Sequence, residues 1–433
     1  MNPPRVSPGP SRILRGPLSG LARLDRRVYL LSGANLVRSV GRSASWIFLP
    51  LILLAAYHLT YLQIGALIAV IVPVGAGANL MGGSSSDRHG RRALSTFPSF
   101  GVALASLALY FLWDSGLPLM MVLWGASSFL TNLQRPAQSA MVGDITSPQE
   151  RVSAFGVVRV FNNLGFAISP AVGGLLAETY GLNVVFLIAA GATAMEGVLL
   201  LLFLRESHPG TSEPTGSPGP ASAPRGWWTS MRGPFGDAVL VSFGVLGVGL
   251  TLATQQFGTA LALFSRGVQG LSYSQVGLLY SLNGLFVVLL QLPISWAIRH
   301  RYLEWLAVGS LLYGSSFLLF LGGGGYALDL AGVGVLTLGE DVVSPLQNSI
   351  VAGMSGAEER GSYFGAYSLM TSIAQAFAPF LGTLLLGISA QGPLLLWGSM
   401  AGLTVVVAGG YLYLAQLRKA ARRSAPPAGP IPS

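Results

Sequence analysis

Cysteine is missing altogether from this chain of 433 residues. Its absence excludes disulfides, thiolate metal sites and cysteine nucleophiles together, and leaves the redox compartment open. Charge is nearly as scarce: Asp, Glu, Lys and Arg make up 9% of the residues against 52% hydrophobic ones, and the mean hydropathy is +0.60. So few charges do not coat soluble domains of this total size, and the chain is expected to live in a bilayer. The four histidines, His58, His89, His208 and His300, all fall at or outside the expected membrane interfaces, which leaves no buried histidine relay and no metal cage. The opening stretch MNPPRVSPGPSRILRGPLSGLARLDRR lacks the apolar core of a signal peptide, so no cleavage is expected.

Long apolar runs fill the rest. A helix crossing the hydrocarbon layer takes about 20 apolar residues. Such runs recur near 28–57, 61–82, 93–114, 117–142, 152–177 and 182–204, then near 236–264, 272–298, 303–323, 328–353, 361–386 and 391–416. Between the two sets, RESHPGTSEPTGSPGPASAPRGWW is too polar and proline-rich to fold alone or to cross a membrane, so it reads as a linker with Trp227 and Trp228 as an interfacial anchor. The expected organisation is a tail over 1–27, a six-helix bundle over 28–204, a linker over 205–235, a second six-helix bundle over 236–416 and a tail over 417–433. Of the 25 basic residues, 20 fall on the side that holds both tails and the linker, and only Arg266 falls in a loop on the other side. The positive-inside bias then puts both termini in the cytoplasm of a multi-pass cell-membrane protein.

The two sets are copies. At an offset of 209, RPAQSAMVGDITSPQERVSAFG aligns with SPLQNSIVAGMSGAEERGSYFG, matching Pro136 with Pro345, Gln138 with Gln347, Glu150 with Glu359 and Gly156 with Gly365. One register held across two helices and their loop marks a duplication in parallel orientation. Parallel repeats place a central path between them near the bilayer midplane, the architecture of an alternating-access carrier.

The string GGSSSDRHGRR lies between the second and third runs. It has neither the strand nor the lysine of a phosphate loop, and none of the aromatic and basic interleaving of a nucleic-acid patch, so nucleic acid is not an expected partner. It resembles the signature loop of the major facilitator superfamily through Gly83, Asp87, Arg88, Gly90, Arg91 and Arg92. The fifth run, GVVRVFNNLGFAISPAVGGLL, resembles the antiporter motif of that superfamily's proton-coupled exporters through Gly156, Gly165, Pro170, Gly173 and Gly174, with Ser169 where the motif has a glycine. Two departures stand beside these matches. Trp124 occupies the place of an arginine common in the fourth helix of such exporters, and the loop's second copy, SWAIRHRYLEW, has lost the aspartate. The resemblance implies an all-α membrane fold of 12 helices in two pseudo-symmetric six-helix bundles, with the first, fourth, seventh and tenth lining a cavity. It also implies that Asp87 latches the halves at the start of the eleventh helix, near Gly361, when the carrier is open outward.

Charges inside the spans point to mechanism, because each costs about 2.5 to 3.5 kcal/mol at the midplane. Glu340 and Asp341 are the expected proton-coupling acids. Adjacent residues point about 100° apart on a helix, so one of the two faces the path. Arg38 and Arg42 share one face of the first helix and, with Asn132, Arg135, Gln255, Gln256 and Asn283, are the expected polar groups of the cavity. The arginines would bind an anionic substrate or pair with acids across the path. Arg159 reads as an inter-helix anchor, Glu196 sits in a helix expected to be peripheral, and Glu178 and Asp329 lie near outer ends where water solvates them.

The expected activity is proton-coupled efflux of a small drug-like or organic molecule, carried out by a monomer with no metal or cofactor and the proton gradient as its energy source. The alternatives are a proton-coupled symporter that takes up an organic anion or sugar, and a receptor or scaffold that no longer transports. No feature suggests an enzyme.

Overall fold

The computed structural model describes residues 24–147, 150–206, 233–298, 300–322, 325–354, 359–389 and 391–424. Most of both expected tails and of the linker, with Trp227 and Trp228, lies outside the described residues, as do the side chains of Asp87, Arg88 and Arg360. Among the described residues the chain is all helix: α1 (Arg26–Ala56), α2 (Tyr61–His89), α3 (Arg91–Leu112), α4 (Leu117–Asp144), α5 (Arg151–Tyr180), α6 (Val184–Phe203), α7 (Ala238–Val268), α8 (Tyr273–Ala297), α9 (Tyr302–Leu321), α10 (Tyr326–Ala352), α11 (Arg360–Gly387) and α12 (Gly392–Ser424). Ten of these are long and apolar enough to cross a membrane. The two that fall short, α4 and α10, carry the densest polar sequence, including Asn132, Gln134, Arg135 and Gln138 on one and Glu340, Asp341 and Gln347 on the other.

The duplication is written into the caps. Asp25 accepts from the backbone N–H of Arg27 at the start of α1, and Asp237 does the same for Val239 at the start of α7, both at 2.8 Å. Thr60 with Gln63 closes a capping box on α2, and Ser272 with Gln275 closes the matching one on α8. Packing repeats in the same way. In the first half α1 lies on α5 and α6, α3 on α4 and α6, and α2 on α4; in the second, α7 lies on α11 and α12, α9 on α10 and α12, and α8 on α10. The halves touch through α5 with α8 and α2 with α11.

Two expectations change. The string GGSSSDRHGRR is not a loop: α2 runs on to His89, and the chain turns only at Gly90, whose φ of 88° is a conformation that a side chain rarely adopts. The seventh span is not one continuous helix. It breaks into a 3-10 turn at Gln255–Phe257, resumes over Thr259–Leu263 and widens to a π turn over Phe264–Val268.

The halves meet at the side opposite the chain ends. There a Cβ on Gly174 would run into the backbone of Tyr273, one on Gly277 into that of Pro170, and one on Gly65 into Thr383. Glu178 closes the same seam by accepting from the N–H of Tyr273 at 2.8 Å, so this exposed, solvated carboxylate also caps α8 across the halves. Asp329, expected to be solvated, is instead buried and accepts from Gln269 at 3.1 Å. On the side of the chain ends, Gly156 and Gly361 face open space. The cavity between the halves therefore opens toward the chain ends.

Candidate functional site

Small residues on α5 set the distance between walls. Gly165 packs on the backbone of Leu36 and Gly173 on Ala44 and Phe48, all on α1. Ser169 is fully buried and its hydroxyl donates to the carbonyl of Val40, so the serine bonds α1 at the place where the motif has glycine. On the opposite face of α5, Pro170 and Gly174 meet α8, and Ser281 of α8 accepts the N–H of Ala171 at 2.9 Å. The motif of the fifth helix is thus the seam of α1, α5 and α8, with Gly156 alone at its open end.

The first half buries a charge network. Arg38 donates to Gln138 Oε1 at 2.7 Å and to Asn35, and its Nε lies 3.8 Å from a carboxylate oxygen of Glu196. Glu196, with no exposed surface, also accepts from Gln138 at 2.9 Å and from Gln134 at 3.5 Å, and Ser99 donates to Gln134 at 3.0 Å. Arg38 is therefore a member of a bonded cluster of α1, α3, α4 and α6. Arg42 and Arg135 differ: both are exposed, and among the described residues neither makes a hydrogen bond or an ion pair. The charges that act on Arg42 are those of Arg135 and Arg38, which repel it.

Acids dominate the second half. Asn283 of α8 donates to Glu340 at 2.9 Å and to Thr337 at 3.0 Å. Asp341 has no exposed surface, and among the described residues neither carboxylate oxygen has a hydrogen-bond partner. Arg159 reaches across from α5, donating to Ser344 at 3.3 Å, and its charge acts on both Glu340 and Asp341. Beside Glu340 lies a cavity of about 220 Å³ lined by Trp46 of α1, Gln255 and Phe257 of α7, Tyr313 of α9, and Ser344 and Gln347 of α10.

Glu340, Gln255 and Asn283 thus gather at one end of the path, and Arg42 with Arg135 at another. Gln256 points elsewhere: it is fully buried and donates to the carbonyl of Ala378 at 3.1 Å, holding the break in α7 against α11. Asn132 donates to its own helix at Ser128 and faces Gly75 of α2. In the string GGSSSDRHGRR, Arg91 pairs with Asp144, and Glu206 accepts from the N–H groups of Arg91 and Arg92 at 3.1 Å each, while Arg92 donates to the carbonyl of Leu201 at 2.8 Å. These bonds pin Gly90, Arg91 and Arg92 to the ends of α4 and α6. The groups missed in the sequence were Glu196, Gln134 and the reach of Arg159. A lone acid in the apolar run of α6 was the available signal, because a buried charge demands a cation and only Arg38, Arg42, Arg135 and Arg159 are inside spans.

The profile of the Major Facilitator Superfamily matches residues 31–352 and again 242–431. The chain is 25% identical to the uncharacterized MFS-type transporter YqjV of Bacillus subtilis (strain 168), over 84% of this chain and 88% of that protein. It is 24% identical to a Na(+), Li(+), K(+)/H(+) antiporter of Planococcus maritimus, over 73% of this chain and 79% of that protein. It is 21% identical to the quinolone resistance protein NorA of Staphylococcus aureus (strain N315), over 81% of this chain and 88% of that protein. A crystal structure of a POT family transporter in complex with 5-aminolevulinic acid shares the fold, with a TM-score of 0.71 at 17% identity, over 91% of this chain and 96% of that one.

Proposed function

The chain belongs to the major facilitator superfamily, a family of membrane transporters for small molecules, and we propose that it works as a proton-coupled exporter of an organic compound. Its 12 helices cross the membrane as two pseudo-symmetric bundles, 28–204 and 236–416, joined by the linker 205–235, with both termini in the cytoplasm of a cell that keeps it in its plasma or inner membrane. It acts as a monomer and uses no cofactor. In this orientation the described state is open to the cytoplasm.

The observation that carries the coupling is Asp341, a carboxyl buried without a donor among the described residues and one residue from the cavity acid Glu340. An ionised carboxylate left unpaired in such a place costs several kcal/mol, so the group is stable there as the acid. When the halves rock, Arg159 is the cation that crosses the seam to Ser344, and its approach or retreat sets whether the α10 acids hold or release a proton. Glu340 meets the substrate while Asn283 orients it, and Asp341 takes the proton that the exchange returns. Asp87 closes the cytoplasmic side in the opposite state by capping α11, releasing the seam of Glu178 and α8.

Reconstitution in liposomes under an imposed pH gradient tests this reading. Substrate moving against the proton flux supports it. Substrate and protons moving the same way would make the chain a symporter and sink the exporter reading, and no proton flux with any transported compound would remove the α10 acids from the mechanism.

A further inference from the structure

We infer that Arg42 and Arg135 form the anion-binding end of the substrate site, and that the ligand is an organic anion, an acidic group on a flat apolar body. The inference rests on the carrier reading only in requiring that the cavity hold a ligand, and it is independent of the direction of coupling.

Geometry carries the first part. Arg42 lies one helical turn beyond Arg38 on the same face of α1, and Arg135 lies nearly one turn before Gln138 on α4. The two helices run in opposite directions and are tied together by the bond of Arg38 to Gln138 at 2.7 Å. Arg42 and Arg135 are therefore displaced the same way from that bond and stand level with each other. Both guanidiniums are exposed, and among the described residues neither has a carboxylate, amide or carbonyl partner. One acid, Glu196, balances this part of the first half, and it is already committed to Arg38, Gln138 and Gln134. Two repelling cations within a span, placed side by side and left without a counterion, are expensive to keep unless an anion answers them. Arginine offers that anion a planar fork of donors, suited to a carboxylate, sulfonate or phosphonate.

Position along α1 carries the second part. Trp46 is one turn beyond Arg42 on the same face, and it forms a wall of the cavity with Phe257 and Tyr313. A ligand whose acidic group meets Arg42 has its body directed along that face toward three aromatic rings. The acid on the opposite wall, Glu340, is oriented by Asn283 and acted on by Arg159, so it does not neutralise the arginine pair.

A matched pair of probes tests the site. Naphthalenecarboxylate and naphthylmethylammonium share one ring system and differ in the sign of their charge. Calorimetric titration of the full chain in nanodiscs is expected to show binding of the carboxylate, tighter than that of the ammonium. Arg42→Gln and Arg135→Gln are each expected to weaken carboxylate binding about tenfold or more, with melting temperatures unchanged or raised, because neither side chain bonds the fold and each substitution removes one of two repelling charges. Arg42→Lys, which keeps the charge and loses the fork, is expected to fall between and serves if a glutamine variant cannot be purified. No carboxylate binding to the wild type, equal or tighter binding of the ammonium, or carboxylate binding indifferent to all three substitutions would overturn the site. Counterflow of the same probes in liposomes separates this failure from failure of the carrier reading. Arginine-dependent binding without flux upholds the site and overturns transport, whereas flux of the ammonium indifferent to Arg42 upholds transport and overturns the site.

Discussion

The two halves are copies in helix order, caps and packing, yet they hold charge in opposite ways. At the repeat offset, Asn132 of α4 stands where α10 has Asp341, and Arg135 stands where α10 has Ser344. The first half gathers cations and buries one acid, Glu196, inside a set of donors from Arg38, Gln138 and Gln134. The second half buries two acids, Asp329 with a bond from Gln269 and Asp341 with no donor among the described residues. A satisfied buried charge is a structural brace, and an unsatisfied one is a group with a changeable state. Duplication supplied the scaffold twice, and later substitution gave one copy the brace and the other the unpaired acid.

That contrast breaks most severely at coupling. Asp341→Asn keeps shape and leaves the burial unchanged, so melting in detergent is expected to stay within about 1 kcal/mol of the wild type while pH-driven transport in liposomes is lost. The brace fails in the other manner. Glu196→Ala strands the Arg38 charge and is expected to cost about 3 to 5 kcal/mol, read as a large loss of thermal stability and yield. Replacing both partners, Arg38→Met with Glu196→Leu, is expected to recover most of that loss, since replacing a buried ion pair by an apolar pair of similar volume is often neutral or stabilising by about 1 to 4 kcal/mol. If the double variant is as unstable as Glu196→Ala, the network is more than a brace.

The smallest expected effect lies at the seam between the halves. Glu178→Gln keeps one acceptor at the start of α8 but removes the charge that favours the helix N-terminus, worth about 0.3 to 1 kcal/mol. The population open to the chain-end side should fall modestly. The absence of cysteine makes this readable, because single introduced cysteines on the two faces report accessibility without a native background. Equal labelling of both faces in Glu178→Gln and in the unsubstituted background would show that the α5 and α8 glycine contacts hold the seam unaided.

Legibility in the sequence tracked how local each signal is. The parallel repeat could be read directly, because it depends only on a register shared along the chain. The string GGSSSDRHGRR was placed correctly between the second and third spans but misread as a loop, since its serines and glycines do not break a helix that tertiary packing prolongs to His89. Gln255 and Gln256 are neighbours that the 3-10 turn of α7 sends to different destinations, one exposed beside the cavity and one onto α11. No periodicity announces that split.

Composition and hydropathy by themselves determined that this chain is a duplicated helical membrane protein, because the cost of polar groups in hydrocarbon leaves few other ways to arrange such a sequence. They also singled out the charges that lie deep in the apolar runs. Which of those charges meet was decided only by the tertiary structure. Arg38 finds Glu196 some 158 positions away in the same half, Arg159 reaches Ser344 in the other half, and Arg42 and Asp341 find no partner among the described residues. Pairing depends on helix rotation and on the close approach that Gly165, Ser169 and Gly277 permit, and those are properties of packed surfaces rather than of any stretch of chain.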